Sequence, residues 1–584
     1  MKKIKSLIAC FLAFSLLCSC SEKKENMTTS AVSENVSSSS VAESAIDIET
    51  TSSASDIEET TTTPAETTAD TEKSETTTET TVVSDGDSIT VTEIPETEVT
   101  EEVSSAETAE AVETEEITSE STVTEAVSSE LVMPEAEIDT TNEDGKKMYQ
   151  QYIDQKEKYI KRYEKLCTEM TLPIVSIITL DNKEILSKEE YVTSVVDVFN
   201  CEEEYSFSAS GGVKVRGNST ADGDEKPYRI KFDSKQNMLG LHNGAEYKSW
   251  VLLRSQWNLA MDYTGFNLAK AIFQGEYYSS DCKYVDVYVN GRFKGIYLLC
   301  EQNQAADGRV DIYEPDATEK YTDIGYLVEI DNYANEWEDP FFTVDYLGAE
   351  ITDISGRTEA FVPADYSIKS DINGKPQAQF IEKYIKGVFE ILYEGAEKNN
   401  PMMFDSDYNV VSAKGTYNTA REAVEAVIDL ESLANVLILD ELVHDYDVGE
   451  GSFYMTVDFS SGSKYKKLTF LAPWDFNWAY DGTPNRRYFA CTFQPLAGDI
   501  DRSNPWYITA MKAEWFMDVV KEKWAYLYEN NVITDVTKQI RKDVELLRND
   551  LGDENWKVDN SKYIMDFVDG RVKWLTKQWL EGTE

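Results

Sequence analysis

The chain predicts an α+β fold with two lobes, a strand-rich part followed by a helix-rich one. Three observations carry this. Short strand patterns broken by Gly, Asn and Asp run from Leu172 to Leu299. Apolar residues at helical spacing dominate from Ala378 to Leu580. The segment before Thr141 has almost no aromatics, so the core must form from the roughly 440 residues that follow.

The first element is an export signal. Residues 1–20 carry Lys2, Lys3 and Lys5, then an apolar run from Leu7 to Leu17, and end Leu17-Cys18-Ser19-Cys20. This is the pattern of a bacterial lipoprotein signal in which Cys20 is lipidated and becomes the mature N-terminus. No second apolar run approaches the ~20 residues that span a bilayer. The expected location is extracytoplasmic, at the cell surface, tethered to the membrane by lipid.

Residues 21–141 are rich in Thr, Ser and Glu. Such a segment cannot bury enough apolar surface to offset its ordering entropy, so an extended, disordered acidic stalk is expected. About 32 acidic residues lie between Ser21 and Thr140, so over half of the net charge of -53 belongs to this stalk. The rest of the chain is still acidic, which argues against a nucleic-acid partner.

Residues 142–171 read as a linking helix, and residues 172–584 as the folded domain. Leu172–Leu180 is an apolar strand, Leu239–Leu253 a turn and a strand, and Leu259–Phe273 a helix. Val285–Leu299 is a hairpin closed by Asn290-Gly291, the preferred two-residue turn. Helices are expected at Ala378–Ala396, Ala420–His444, Pro505–Glu529, Val532–Asn549 and Asp559–Leu580, with a strand pair at Phe453–Asp458 and Lys467–Ala472.

Chemistry concentrates in Val213–Asp233. Two strands, Val213–Arg216 and Tyr228–Asp233, flank a Gly/Asn/Ser/Asp loop. Alternation puts Val213, Val215, Tyr228, Ile230 and Phe232 on one face and Lys214, Arg216, Arg229 and Lys231 on the other. In so acidic a chain, four clustered cations beside free backbone N–H groups suit a polyphosphate; a merely solvated hairpin face is the competing reading. Only His242 and His444 are present, and neither adjoins a nucleophile-elbow or HExxH pattern, so most His-dependent enzymes are unlikely. The five domain cysteines, an odd number without CxxC pairing, argue against a zinc site or a full disulfide framework.

RGNST followed by KPYRIKFD resembles the core motif of the CotH kinase family, spore-coat-protein-H-like proteins with an atypical protein-kinase fold. LPIVSIITL, VDVYVNGRFKGIYLLCEQ, GYLVEID and APWDFNWAYDG follow the family's order over Leu172–Gly482. The resemblance implies a two-lobed kinase-like domain with its hinge at Cys300–Gln304. It implies an atypical protein kinase that transfers the γ-phosphoryl of ATP to Ser or Thr of surface or secreted proteins, with Mg²⁺ or Mn²⁺. On that basis Lys231 and Arg216 contact phosphates, Asn218 and Ser219 form the phosphate loop, and Asp475 holds metal. Asp447 orients the attacking hydroxyl, with Asp445 as the alternative base. Ser452 stands where a second metal ligand is expected, and Glu301 falls at the hinge, where it holds either structure or the nucleotide base. Glu301 and Glu329 are both candidates to pair with Lys231. Asp262 occupies the place of an expected basic residue, where it could repel phosphate or face solvent.

Two other classes compete. A catalytically silent relative could serve as a surface binding or adhesion module. A carbohydrate-active protein contacting polysaccharide or cell wall could use Trp250, Trp257, Trp337, Trp474 and Trp478 as sugar platforms beside paired acids.

Overall fold

The computed structural model describes residues 131–582 apart from 218, 255–256, 337–338, 446 and 494–502. The expected signal and its Cys20, nearly all of the expected stalk, Asn218 and Trp337 therefore lie outside the described residues. The fold is mixed α+β, with a seven-stranded barrel followed by a largely helical part.

The barrel strands are β1 (Ile174–Thr179), β2 (Val192–Phe199), β3 (Phe207–Val215), β4 (Tyr228–Asn237), β5 (Glu246–Leu253), β6 (Cys282–Val289) and β7 (Arg292–Glu301). They neighbour in the order β1-β2-β3-β4-β5-β7-β6, and β6 closes the barrel by pairing with β1 in parallel. Closure leaves no exposed edge, which an open sheet would have to protect. The β3–β4 register sets Lys214 opposite Arg229 and Gly212 opposite Lys231. Val213, Val215, Tyr228, Ile230 and Phe232 are all buried among the barrel-core residues, as the alternation predicts. Asn290 and Gly291 make the β6–β7 turn with φ of 50° and 72°, the left-handed pair such a turn requires.

Helix α1 (Glu143–Glu169) packs on this barrel through Met148, Tyr152, Tyr159 and Tyr163. Tyr163 stacks on Phe199 at 4.1 Å between ring centroids. The hydroxyls of Tyr152 and Tyr163 donate to the buried Asp197 carboxylate at 3.0 and 2.5 Å. The stretch expected to link stalk and domain is thus part of the folded body.

Beyond the barrel, an antiparallel sheet runs Thr469–Phe470, Phe453–Asp458, Gly325–Ile330, Ala364–Ile368, Phe341–Val344. Helices Lys375–Lys398 and Leu430–Val443 pack on it, Glu514–Glu529 and Trp556–Thr576 pack on Leu430–Val443, and Val532–Leu546 packs on Trp556–Thr576. Leu430–Val443 is apolar nearly all round and buried along almost its whole length, the behaviour of a central core helix. The single helix expected over Ala420–His444 is two. Residues 427 and 429 exchange backbone hydrogen bonds with Leu468, and Asp429 then caps the second helix through Ser432 N–H. The helix expected over Pro505–Glu529 is likewise broken after Ala510.

Candidate functional site

A cavity of ≈ 990 Å³ opens between the outer face of β4–β5 and the segments that follow β7. Arg229, Lys231, Lys235 and Lys248 line one side, and Gln302–Asp307 the back. Glu314, Asp339, Lys369 and Asp371 complete the wall. Lys231 is exposed, and no ion pair holds Lys231 or Arg229 among the described residues; the Arg229 Nε is buried without a hydrogen-bond partner. Burial, then the neighbouring Arg229 and Lys231 cations, pull the Lys214 ammonium below its ordinary range. Like charges thus crowd one strand face, with Glu246, Asp307, Glu314, Asp339 and Asp371 in the same cleft lining.

Arg216 departs from that group. Its backbone continues the β3–β4 ladder by donating to Pro227 O, two rungs from Lys231, or ~13 Å along the strand. Its guanidinium lies over the Trp474 ring, 5.6 Å from the centroid. There it stabilises the ionised forms of Asp475 and Asp262. The four cations of the hairpin form a row from the cleft toward Asp475 rather than one cluster. Ser219 opens a short 3-10 turn, Ser219–Ala221, after that row.

Asp475 sits in a loop with three non-glycine residues in the left-handed region, Ala472 (φ 56°), Asp475 (φ 65°) and Tyr480 (φ 63°). Such backbone persists only where its surroundings over-determine it. Those surroundings are visible. Asn303 Nδ2, from the cleft wall, donates to Ala472 O at 2.6 Å, and Phe476 N–H donates to Asp262 Oδ1 at 3.1 Å. Asn477 donates its side-chain amide to Asp475 Oδ1. A Cβ on Gly265 would collide with the Phe476 ring, so glycine is needed where helix Met261–Phe273 meets the loop. Asp262 is half-buried, and through this bond it anchors the Asp475 loop. Burial, then the Asp475 charge, raises its carboxyl to about 7.

A second carboxylate group adjoins the first. Asp445 is buried, and burial followed by the charges of Asp440 and Asp447 holds its carboxyl well above the usual range. Asp447 is half-buried, and its N–H donates to Asp445 Oδ1 at 3.0 Å. Ser452, at φ 57°, lines a small cavity with Asp440, Asp445, Tyr454 and Trp474. Asp475 also raises Asp445, so the two loops share one electrostatic environment. Among the described residues no three His, Cys, Asp or Glu side chains are arranged to hold a metal by themselves.

Neither glutamate pairs with Lys231. Glu301 is fully buried, bound by Arg309 at 3.0 Å on one oxygen and by His242 and Asp281 N–H at 3.0 Å on the other. Both carboxylate oxygens are engaged inside the protein. Glu329 pairs with Lys369 at 3.0 Å, and Lys369 also meets Asp331 at 3.2 Å. Of the tryptophans considered as sugar platforms, Trp250 and Trp474 are buried and Trp257 and Trp478 exposed.

Sequence reasoning missed the buried Glu441–Arg571 pair (2.8 Å), which fastens the chain beyond the Asp475 loop to the central helix. The acidic pair Asp440-Glu441 inside the mostly apolar helix Leu430–Val443 was the available signal.

A cleft lined by both cations and carboxylates, with two buried carboxylate loops elsewhere in the domain, belongs to a protein of mixed α+β fold. The chain belongs to the CotH kinase family, whose model, described as CotH kinase protein, matches residues 213–577. Membership implies a possible atypical protein kinase activity that uses ATP. No curated protein matches the chain significantly.

Proposed function

We propose that this protein is an extracytoplasmic kinase, lipid-anchored through Cys20, that transfers the γ-phosphoryl of ATP to Ser or Thr of surface or secreted proteins. The observation that carries the reading is the row of unpaired cations, Lys231 and Arg229, on one wall of the ≈ 990 Å³ cleft. Phosphoryl transfer needs cations on the phosphates, a carboxylate for metal, and a carboxylate for the attacking hydroxyl.

Lys231 and Arg229 meet the phosphates. Arg216, two rungs along, favours the ionised form of Asp475 against the burial that raises its carboxyl. A Mg²⁺ or Mn²⁺ ion on Asp475 would neutralise developing charge on the phosphates. Two neighbouring carboxylates fit such an ion, which takes its other ligands from phosphate and water. Ser452 lies beside Asp445 and is the weaker candidate ligand. Asp447 accepts the hydroxyl proton, because it is half-exposed whereas Asp445 is sealed and held toward its protonated form. Positioning and charge stabilisation supply most of the rate.

The test is a thermal melt of the full chain with ATP and Mn²⁺, beside Asp475→Ala, followed by transfer of labelled γ-phosphate to casein-like acceptor proteins. A metal-dependent ATP shift and label transfer, both lost in the variant, are expected. No shift with either nucleotide or metal would overturn the nucleotide site.

A further inference from the structure

Next to the central helix lies a second cavity, of ≈ 280 Å³, which the kinase reading leaves unused. His444, Asp481, Gly482, Thr483, Arg486, Arg487 and Phe489 form it. We propose that it binds a phosphate group, free or as a monoester, through Arg486 and Arg487.

The walls are built rather than incidental. Tyr480 N–H donates to Val443 O at 2.6 Å, and His444 Nδ1 lies 3.0 Å from Asp481 O. At the far end, Glu441 accepts the N–H groups of Phe489 (2.9 Å) and Cys491 (3.0 Å). Arg571, fully buried, donates to Glu441 and to the carbonyls of Pro484 and Arg487 at 3.0 Å. The segment is therefore stitched down along its backbone while the side chains of Arg486 and Arg487 stay exposed at the mouth.

Charge points to the ligand. Arg486 and Arg487 form no ion pair among the described residues, although the chain carries a net charge of -53. Arg487 instead lies over the Phe489 ring, 5.6 Å from the centroid. The one carboxylate in the lining, Asp481, accepts from Gly482 N–H at 2.6 Å. The floor is His444, stacked on Phe489 at 4.5 Å, with its buried Nε2 unpartnered. Burial, then Arg571, lowers the His444 pKa to about 3, so the floor carries no charge of its own and the arginines set the preference. Two adjacent guanidinium groups over a cavity of this size suit the several oxygens of a phosphate better than a single-point anion.

The cavity shares His444 with the Asp445–Asp447 loop and continues the chain beyond Asp475. A bound phosphate would therefore brace both carboxylate loops, whether or not the cleft binds nucleotide.

The experiment is a thermal melt and a calorimetric titration of the full chain with inorganic phosphate and with O-phosphoserine, against chloride at equal ionic strength. Wild type is compared with Arg486→Ala/Arg487→Ala and, as a control for the cleft, with Lys231→Ala. Phosphate or phosphoserine should raise the melting temperature of wild type and Lys231→Ala, with affinity falling at least tenfold in the double variant. The tighter of the two ligands identifies the source. Binding absent from wild type, or undiminished in the double variant, overturns the proposal. Loss in Lys231→Ala alone also overturns it, by moving the anion to the cleft. ATP and Mn²⁺ run on the same variants test the cleft separately.

Discussion

Asp445 and Asp447 lie two residues apart and differ in environment. Asp445 is sealed and held toward protonation, while Asp447 reaches the surface. Asp447→Asn is expected to cut phosphoryl transfer by ~10²–10⁴ without lowering the melting temperature. Asp445→Asn, which replaces a group already biased to neutrality, should alter stability little; a fall of more than a few degrees would contradict the assignment. Asp286 gives a pH test remote from the site. Burial, then Asp550, raises its carboxyl to about 8. The folded state holds this proton more tightly than the unfolded chain, whose carboxyl titrates near 3.9. Ionisation therefore costs stability progressively from about pH 4 to pH 8. Asp286→Asn removes that cost, so the melting-temperature difference between variant and wild type should rise across this range. A flat difference would count against the buried acid.

At the scale of elements, the Asp475 loop depends on close approach by helix Met261–Phe273. Gly265→Ala should displace Phe476, cost about 1–3 kcal/mol by overpacking, and weaken any metal-dependent ligand shift. The central helix depends on the Glu441–Arg571 pair, whose two members are both fully buried. Arg571→Met should destabilise by about 3–5 kcal/mol, because Glu441 is left uncompensated. Chemical denaturation measures both. The hairpin was legible because alternation fixes which face is buried. The direction of Arg216 was not, because it depends on Trp474 and Asp475, more than 250 positions away in the chain.

For the whole molecule, closure of the barrel and the packing of α1 decide where the folded body begins. Met148, Tyr152 and Tyr163 are buried against β1 and β2, and Asp197 beneath them takes both tyrosine hydroxyls. A chain starting at residue 172 should melt at least 10 °C lower than one starting at 131, or fail to fold; equal melting temperatures would show that α1 is only a linker. None of the described helices is long and apolar enough to cross a membrane.

The sequence by itself determined the α+β class, the inward faces of β3 and β4, the Asn290-Gly291 turn and the motifs of the CotH kinase family. These are local, set by two-residue alternation, turn chemistry and short runs. Only the tertiary structure decided that the strands close into a barrel and that α1 belongs to it. It also decided that Glu301 serves Arg309 and His242, that Asp262 anchors the Asp475 loop, and that Arg486 and Arg487 flank a cavity beside His444. Each of these rests on contacts between distant segments, and burial and charge pairing across such contacts leave no periodic trace along the chain.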